Sequence, residues 1–138
     1  MTEECLFCAI VAGKEPASVV YQDEVVTAFL TIGPVNPGHL LVIPNQHAAY
    51  LADMDEEIGA HLFTISTRLA RALRQSGLRC EGVNLFLADG EAAFQEVFHV
   101  HMHVFPRFKG DSFTLDADWS VRPSREELDR IARQIRRG

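Results

Sequence analysis

No run of apolar residues in this 138-residue chain reaches the roughly 18 that a membrane-crossing helix needs. The opening MTEECLFC begins acidic and has no basic flank, so no secretory signal is expected there. Positive charge is in deficit. Thirteen Lys and Arg face 19 Asp and Glu, and the formal net charge is −6. That argues against a general nucleic-acid or membrane surface. The basic cluster RQIRRG, residues 133–138, reads as the solvated face of a helix. Cysteine is scarce and odd in number, three in all, which suits a reducing cytoplasm better than a disulfide framework. The chain lacks the G-x-x-x-x-G-K-[ST] loop that cradles phosphates with a lysine. No internal repeat or low-complexity tract is visible.

What is present suits one domain with a real core. Apolar residues make up 47% of the chain and charged residues 23%. A chain this long buries roughly 68–70% of the surface it exposes when unfolded. SVVYQDEVVTAFL reads as two strands around a polar turn at Gln22-Asp23-Glu24. GPVNPG (33–38) is a loop, and HLLVIP (39–44) is a short apolar strand closed by Pro44. A helix follows, with Asp53 expected as its N-cap and Glu56 completing a capping box. Its apolar stripe is Ile58, Leu62, Ile65, Leu69 and Leu73, and Gly77 is the stop signal. GVNLFLA (82–88) and residues 98–105 read as strands joined by DGEAAFQE. Ser124 and Glu127 suggest a second capping box before a helix with Leu128, Ile131 and Ile135 on one face. Short strand links favour antiparallel pairing. The expected class is α+β: an antiparallel sheet, a long helix packed on one face, and a C-terminal helix.

The segment HVHMHVFPR carries the chemistry. In an extended strand His99, His101 and His103 share one face, while Val100, Met102 and Val104 share the other and meet the core. The histidine face must then line solvent, a metal or a ligand. A three-histidine metal site is one reading. Nucleophilic catalysis is another, because imidazole is largely neutral at cellular pH and needs no strong base to activate it. Cys5 and Cys8 form a C-x-x-C, which alone suits redox chemistry or zinc. No βαβ pattern surrounds it to favour a thioredoxin-like role.

HVHMHV preceded by FQEVF, with NPGHLLVIPNQH upstream, resembles the histidine triad (HIT) family of nucleotide hydrolases and transferases, in its bacterial zinc-carrying form. The resemblance spans Cys5 to about Arg107 and treats residues 1–138 as one domain, with its core at about 5–108 and an extension over 109–138. It implies a HIT-like antiparallel sheet with a long helix, usually paired in a cytoplasmic homodimer. It also implies cleavage at the α-phosphate of nucleoside phosphoramidates or dinucleoside polyphosphates, through a nucleotidyl-histidine intermediate. His101 matches the nucleophile, and His103 the histidine that contacts phosphate and supports the leaving group. His39 matches the upstream histidine packed beside them, and Gln95 a glutamine lying along the phosphates. Cys5, Cys8, His47 and His99 match a structural zinc site. The expected partner is a nucleotide, more often with adenine, and neither nucleic acid nor membrane. Thr31 stands where many relatives carry an acidic ribose-binding residue, Ala88 where asparagine is common, and Phe94 where glycine is frequent. With Ile32 and Asn84, Thr31 and Phe94 complete the expected substrate-binding set. These departures also leave room for a nucleotide-binding regulatory protein with little catalysis.

Overall fold

Side-chain alternation decides how each strand is covered, and two apolar sets on opposite faces sort the chain into layers. In a computed structural model, which describes residues 5–138, the elements run α1 (Leu6–Val11), β1 (Val19–Gln22), β2 (Val26–Leu30), β3 (Leu40–Pro44), α2 (Glu56–Gln75), β4 (Gly82–Leu87), β5 (Met102–Arg107) and α3 (Arg125–Arg136). Residues 1–4, part of the opening read above as no secretory signal, lie outside the described residues. The five strands form one antiparallel sheet in the order β1-β2-β3-β5-β4. The sheet, the long helix on it and the C-terminal helix are the α+β architecture expected from the sequence.

One face of the sheet carries Val26, Ala28, Leu40, Val42 and Val104, which pack with Leu62, Ile65 and Leu73 of α2. Val100 joins this core from the segment before β5. Burying a side chain of the Leu62 or Ile65 kind contributes roughly 1.5–3 kcal/mol, so the helical stripe holds α2 against the sheet. The opposite face carries Phe29, Leu41 and Ile43, covered by Phe7 and Ile10 of the short helix α1. Helix α1 covers β2 and β3 on that side. His103, paired with Leu41 on β3 and with Phe86 on β4, lies on the same face farther along the sheet.

Two local expectations are corrected. Asp53 is not the cap of the long helix. It closes a 3-10 turn, Leu51–Asp53, where its carboxylate accepts from the Tyr50 N–H at 3.2 Å, and α2 starts two residues later from Asp55. Four acidic residues lie within the five positions 53–57, and the sequence alone does not rank them. Nor does residue 98 begin a strand: β5 starts at Met102. Upstream, the Val100 N–H donates to the Ala48 carbonyl at 2.8 Å and the His99 carbonyl is taken by a side chain, so the ladder to β3 and β4 cannot extend that far.

The stop at Gly77 holds, with φ +88° just past the Ser76 C-cap. Ser124 caps α3 by accepting from the Glu127 N–H at 3.1 Å. Helix α3 leaves Leu128, Ile131 and Ile135 exposed on one face, and Trp119 ahead of it is also exposed. Among the described residues no helix is long and apolar enough to cross a membrane.

Candidate active site and metal centre

The segment after Gln95 turns its three imidazoles to different tasks, and hydrogen bonding assigns each ring its tautomer. A carbonyl oxygen can only accept, so any ring nitrogen bonded to one carries a proton. His99 is fully buried, and its Nε2 lies 2.8 Å from the Pro44 carbonyl. Nε2 therefore holds the proton, and Nδ1 presents a lone pair. That lone pair faces Cys5 Sγ at 3.4 Å, Cys8 Sγ at 3.6 Å and His47 Nδ1 at 3.2 Å, while Cys8 Sγ lies 3.3 Å from His47 Nδ1. All four candidate ligand atoms fall within 4.8 Å of one another.

Zinc bonds of about 2.05 Å to nitrogen and 2.3 Å to sulfur, set tetrahedrally, put ligands about 3.3 Å apart for two nitrogens and about 3.6 Å for nitrogen and sulfur. The donor set and its spacing fit that ion. Burial first, then the neighbouring Cys5 sulfur, push the Cys8 thiol up to about 11. A divalent cation is what turns such a pair into thiolates at neutral pH. With four protein ligands the centre is closed, as a structural site is.

His101 is buried, and its Nδ1 lies 2.8 Å from the His99 carbonyl. The proton is on Nδ1, and Nε2 holds the lone pair. Behind the ring stands Phe7, edge to face at 5.2 Å and 85°. Phe7 sits between Cys5, the N-cap of α1, and Cys8 in its first turn, so the segment that supplies two metal ligands also wedges the His101 ring.

His103 obtains its tautomer by relay. The Val35 N–H donates to His39 Nδ1 at 3.0 Å, which leaves the His39 proton on Nε2. His39 Nε2 lies 2.9 Å from His103 Nδ1 and donates to it, so the His103 proton is on Nε2. His101 thus offers a lone pair and His103 an N–H, with ring centroids 5.0 Å apart. Neither Nε2 has a partner among the described residues, and no buried side-chain nitrogen there is left unpaired, so both open onto accessible space.

Burial holds His39, His99 and His101 below the ordinary histidine pKa. It takes His103 furthest, to about 4, helped by the neighbouring His101 and His39. All are neutral at pH 7, as the tautomer argument requires. The linkage has a definite sign. The unfolded chain takes up a proton near pH 6.5 and the folded one only near 4, so stability is full above pH 6.5 and falls as pH drops from 6.5 toward 4. At about 1.4 kcal/mol per unit, His103 accounts for a loss on the order of 3 kcal/mol. Urea unfolding of the protein and of His103→Asn at pH 7.5, 6 and 5 checks this: the variant should show the shallower decline.

The other expected site residues fall in several places. Gln95 is buried, and its side chain is committed to backbone: Oε1 accepts from the Gly90 N–H at 2.7 Å, and Nε2 donates to the Ala49 and Val97 carbonyls. It braces the 90–97 loop. Thr31 Oγ1 accepts from the Gly33 N–H at 3.2 Å, and Ile32 beside it is fully exposed. Asn84 Oδ1 accepts from Arg107 at 2.8 Å. Phe94 is 81% exposed and is the one non-glycine with positive φ, at 75°, among the described residues.

Sequence reading missed the aromatic lining. Phe86 lies 5.7 Å from His103, and Phe105 lies 4.8 Å from His39. The available signal was register, since Phe105 follows His103 by two on the same strand and Phe86 stands opposite it.

Known proteins resemble this chain in sequence and in fold. The HIT domain family matches residues 12–110. A HIT-like protein of Mycobacterium tuberculosis is 42% identical over 132 residues, covering 94% of this chain and 91% of its own. A purine nucleoside phosphoramidase of Escherichia coli is 36% identical over 104 residues, covering 75% of this chain and 87% of its own. Among solved structures, a zinc-bound histidine triad family protein of Mycobacterium smegmatis superposes with a TM-score of 0.79 at 44% identity, covering 97% of this chain and 94% of that one.

Proposed function

This chain belongs to the HIT domain family, and from that premise we propose that it is a nucleotidyl hydrolase acting at the α-phosphate of nucleoside phosphoramidates or dinucleoside polyphosphates. The observation that carries the reading is the complementary pair at His101 and His103, a lone pair beside an N–H, both open to solvent. His101 Nε2 attacks the α-phosphorus. The bond to the leaving group breaks as His103 Nε2 gives that group its proton, which leaves His103 as an imidazolate beside the cationic His101 ring, its Nδ1 still held by the His39 N–H. Water then attacks phosphorus and returns a proton to His103, and the P–N bond to His101 breaks to release the nucleoside monophosphate. The sum is water added across the scissile bond. While nucleotidylated, the His101 ring is cationic, and the His99 carbonyl at Nδ1–H is oriented in advance to stabilise it.

Zinc on Cys5, Cys8, His47 and His99 supplies a rigid anchor when bound. The chain's own residues do the rest: His99 presents its carbonyl, and Phe7 wedges the nucleophile. We assign Phe94 and Ile32 to the base and Thr31 and Asn84 to the ribose side, with Gln95 acting through the loop it braces. The exposure of Phe94 and Ile32 supports the first pair. The named activity of the Escherichia coli relative supports a purine, and among purines we assign adenine. We further assign the protein to a reducing cytoplasm, where paired thiols stay available to a metal, and to a homodimer, for which the uncovered apolar face of α3 speaks. Purified protein offered a panel of nucleoside phosphoramidates and dinucleoside polyphosphates should release monophosphate from the adenosine members. AMP binding with every member left intact would favour a nucleotide-binding regulator instead.

A further inference from the structure

We propose that Asn36 is a positioning residue for the reaction: it holds the 33–39 turn so that the Val35 N–H keeps the His103 proton on the nitrogen that faces substrate. The inference rests on the reading of His103 as the acid for the leaving group. Its physical basis is separate from that reading.

Three features fix the turn. Asn36 is buried, and its Nδ2 donates to the Pro106 carbonyl and to Asp111 Oδ2, both at 2.9 Å. Its own carbonyl accepts from the His39 N–H at 3.1 Å, closing the turn around the histidine. Gly38 holds φ +102°, and a Cβ there would stand 2.9 Å from Leu78 Cδ1, so the turn is pressed against residues beyond α2. Asp111 is itself clamped. Arg107 Nε and Nη2 donate to it at 2.7 and 2.9 Å, and that guanidinium holds its carboxyl well below the usual range, so it remains an ionised acceptor.

The consequence lies in the relay. With the Val35 N–H on Nδ1, His39 must donate from Nε2, and His103 must accept at Nδ1. If the turn relaxes and that N–H withdraws, His39 is free to carry its proton on Nδ1. The direction between the rings then reverses: His103 donates from Nδ1 and turns a lone pair toward the substrate. The nucleophile is untouched, and the acid is lost. A backbone amide, held by an asparagine 67 positions before His103, thereby selects which nitrogen of His103 is the donor.

The test uses two substrates and a spectrum. In the intact protein, long-range proton–nitrogen NMR should show His103 as the Nε2–H tautomer. Asn36→Ala should shift it toward Nδ1–H, and Asp111→Asn, which weakens the same brace from its other end, should do so less. Turnover of an adenosine phosphoramidate with a basic alkylamine leaving group should fall about 10²-fold in Asn36→Ala, the lower range for a general acid. A 4-nitrophenyl ester of AMP, whose leaving group needs no proton, should fall only a few-fold. Equal losses on both substrates, or an unchanged His103 tautomer in folded variants, would overturn the proposal. If Asn36→Ala does not fold, Asp111→Asn decides by the same two criteria. If the unaltered protein turns over neither substrate, the hydrolase reading fails, and the NMR result still decides the relay.

Discussion

His101→Ala should lose at least about 10³-fold in turnover while binding AMP within a few-fold of the unaltered protein. The size follows from what the ring does. In the proposed mechanism the side chain supplies the covalent path, and removing a nucleophile leaves only binding and electrostatic contributions. Nucleotide binding should survive because the surrounding groups have other anchors. His103 is held by His39, the 90–97 loop by Gln95, and Phe86 by the sheet. Folding should survive too. Among the described residues the His101 ring hydrogen-bonds only the His99 carbonyl, so its removal leaves no other side chain without a hydrogen-bond partner. Single-turnover assays and AMP titration on one preparation check both halves. A variant with normal turnover would remove His101 from the mechanism.

Breaking the metal centre should have the largest effect on stability. Cys8→Ser should lose zinc, lower the unfolding midpoint by more than about 10 °C and reduce turnover as well. A structural zinc in a small peptide site is worth about 10–16 kcal/mol. Here the sheet and α2 fold around a separate core, so a loss nearer 3–5 kcal/mol is expected, and each kcal/mol moves the midpoint by about 4 °C at this size. Activity should follow stability, because the centre holds His99, and the His99 carbonyl sets the tautomer of His101. Metal content by mass spectrometry and a thermal melt decide it. His101→Ala should retain one zinc per chain. Zinc kept after both Cys5 and Cys8 are replaced would dissolve the assignment.

The strands were legible because β-branched and apolar runs lie between turns of evident chemistry: Asp23 between β1 and β2, GPVNPG before β3, Gly77 after α2. The boundary of β5 was not legible. Alternation assigns Val100, Met102 and Val104 correctly to the core, yet a strand cannot form where the His99 carbonyl and the Val100 N–H are spent elsewhere. The alternation also concealed that the three histidines part company, with His99 turning to the cysteines and the other two toward solvent. The metal set joins Cys5 to His99 across 94 positions. Spacing alone gave only the C-x-x-C, and resemblance supplied the remaining ligands. Asn36 opens NPGHLLVIPNQH, yet nothing local marked its role, because its bond to Asp111 spans 75 positions. The exposed face of α3 was read correctly as a periodic stripe, but periodicity cannot say what covers it.

The account turns on the lone pair of His101 Nε2 meeting phosphorus. The most direct measurement mixes the protein with an excess of an adenosine phosphoramidate, quenches in alkali within the first turnovers to preserve an acid-labile P–N bond, and maps the adduct by peptide mass spectrometry. The account predicts one adenylyl group on the peptide that holds residues 99–107, localised to His101. Rapid turnover with no adduct on the protein, or with the group on any other residue, would contradict it.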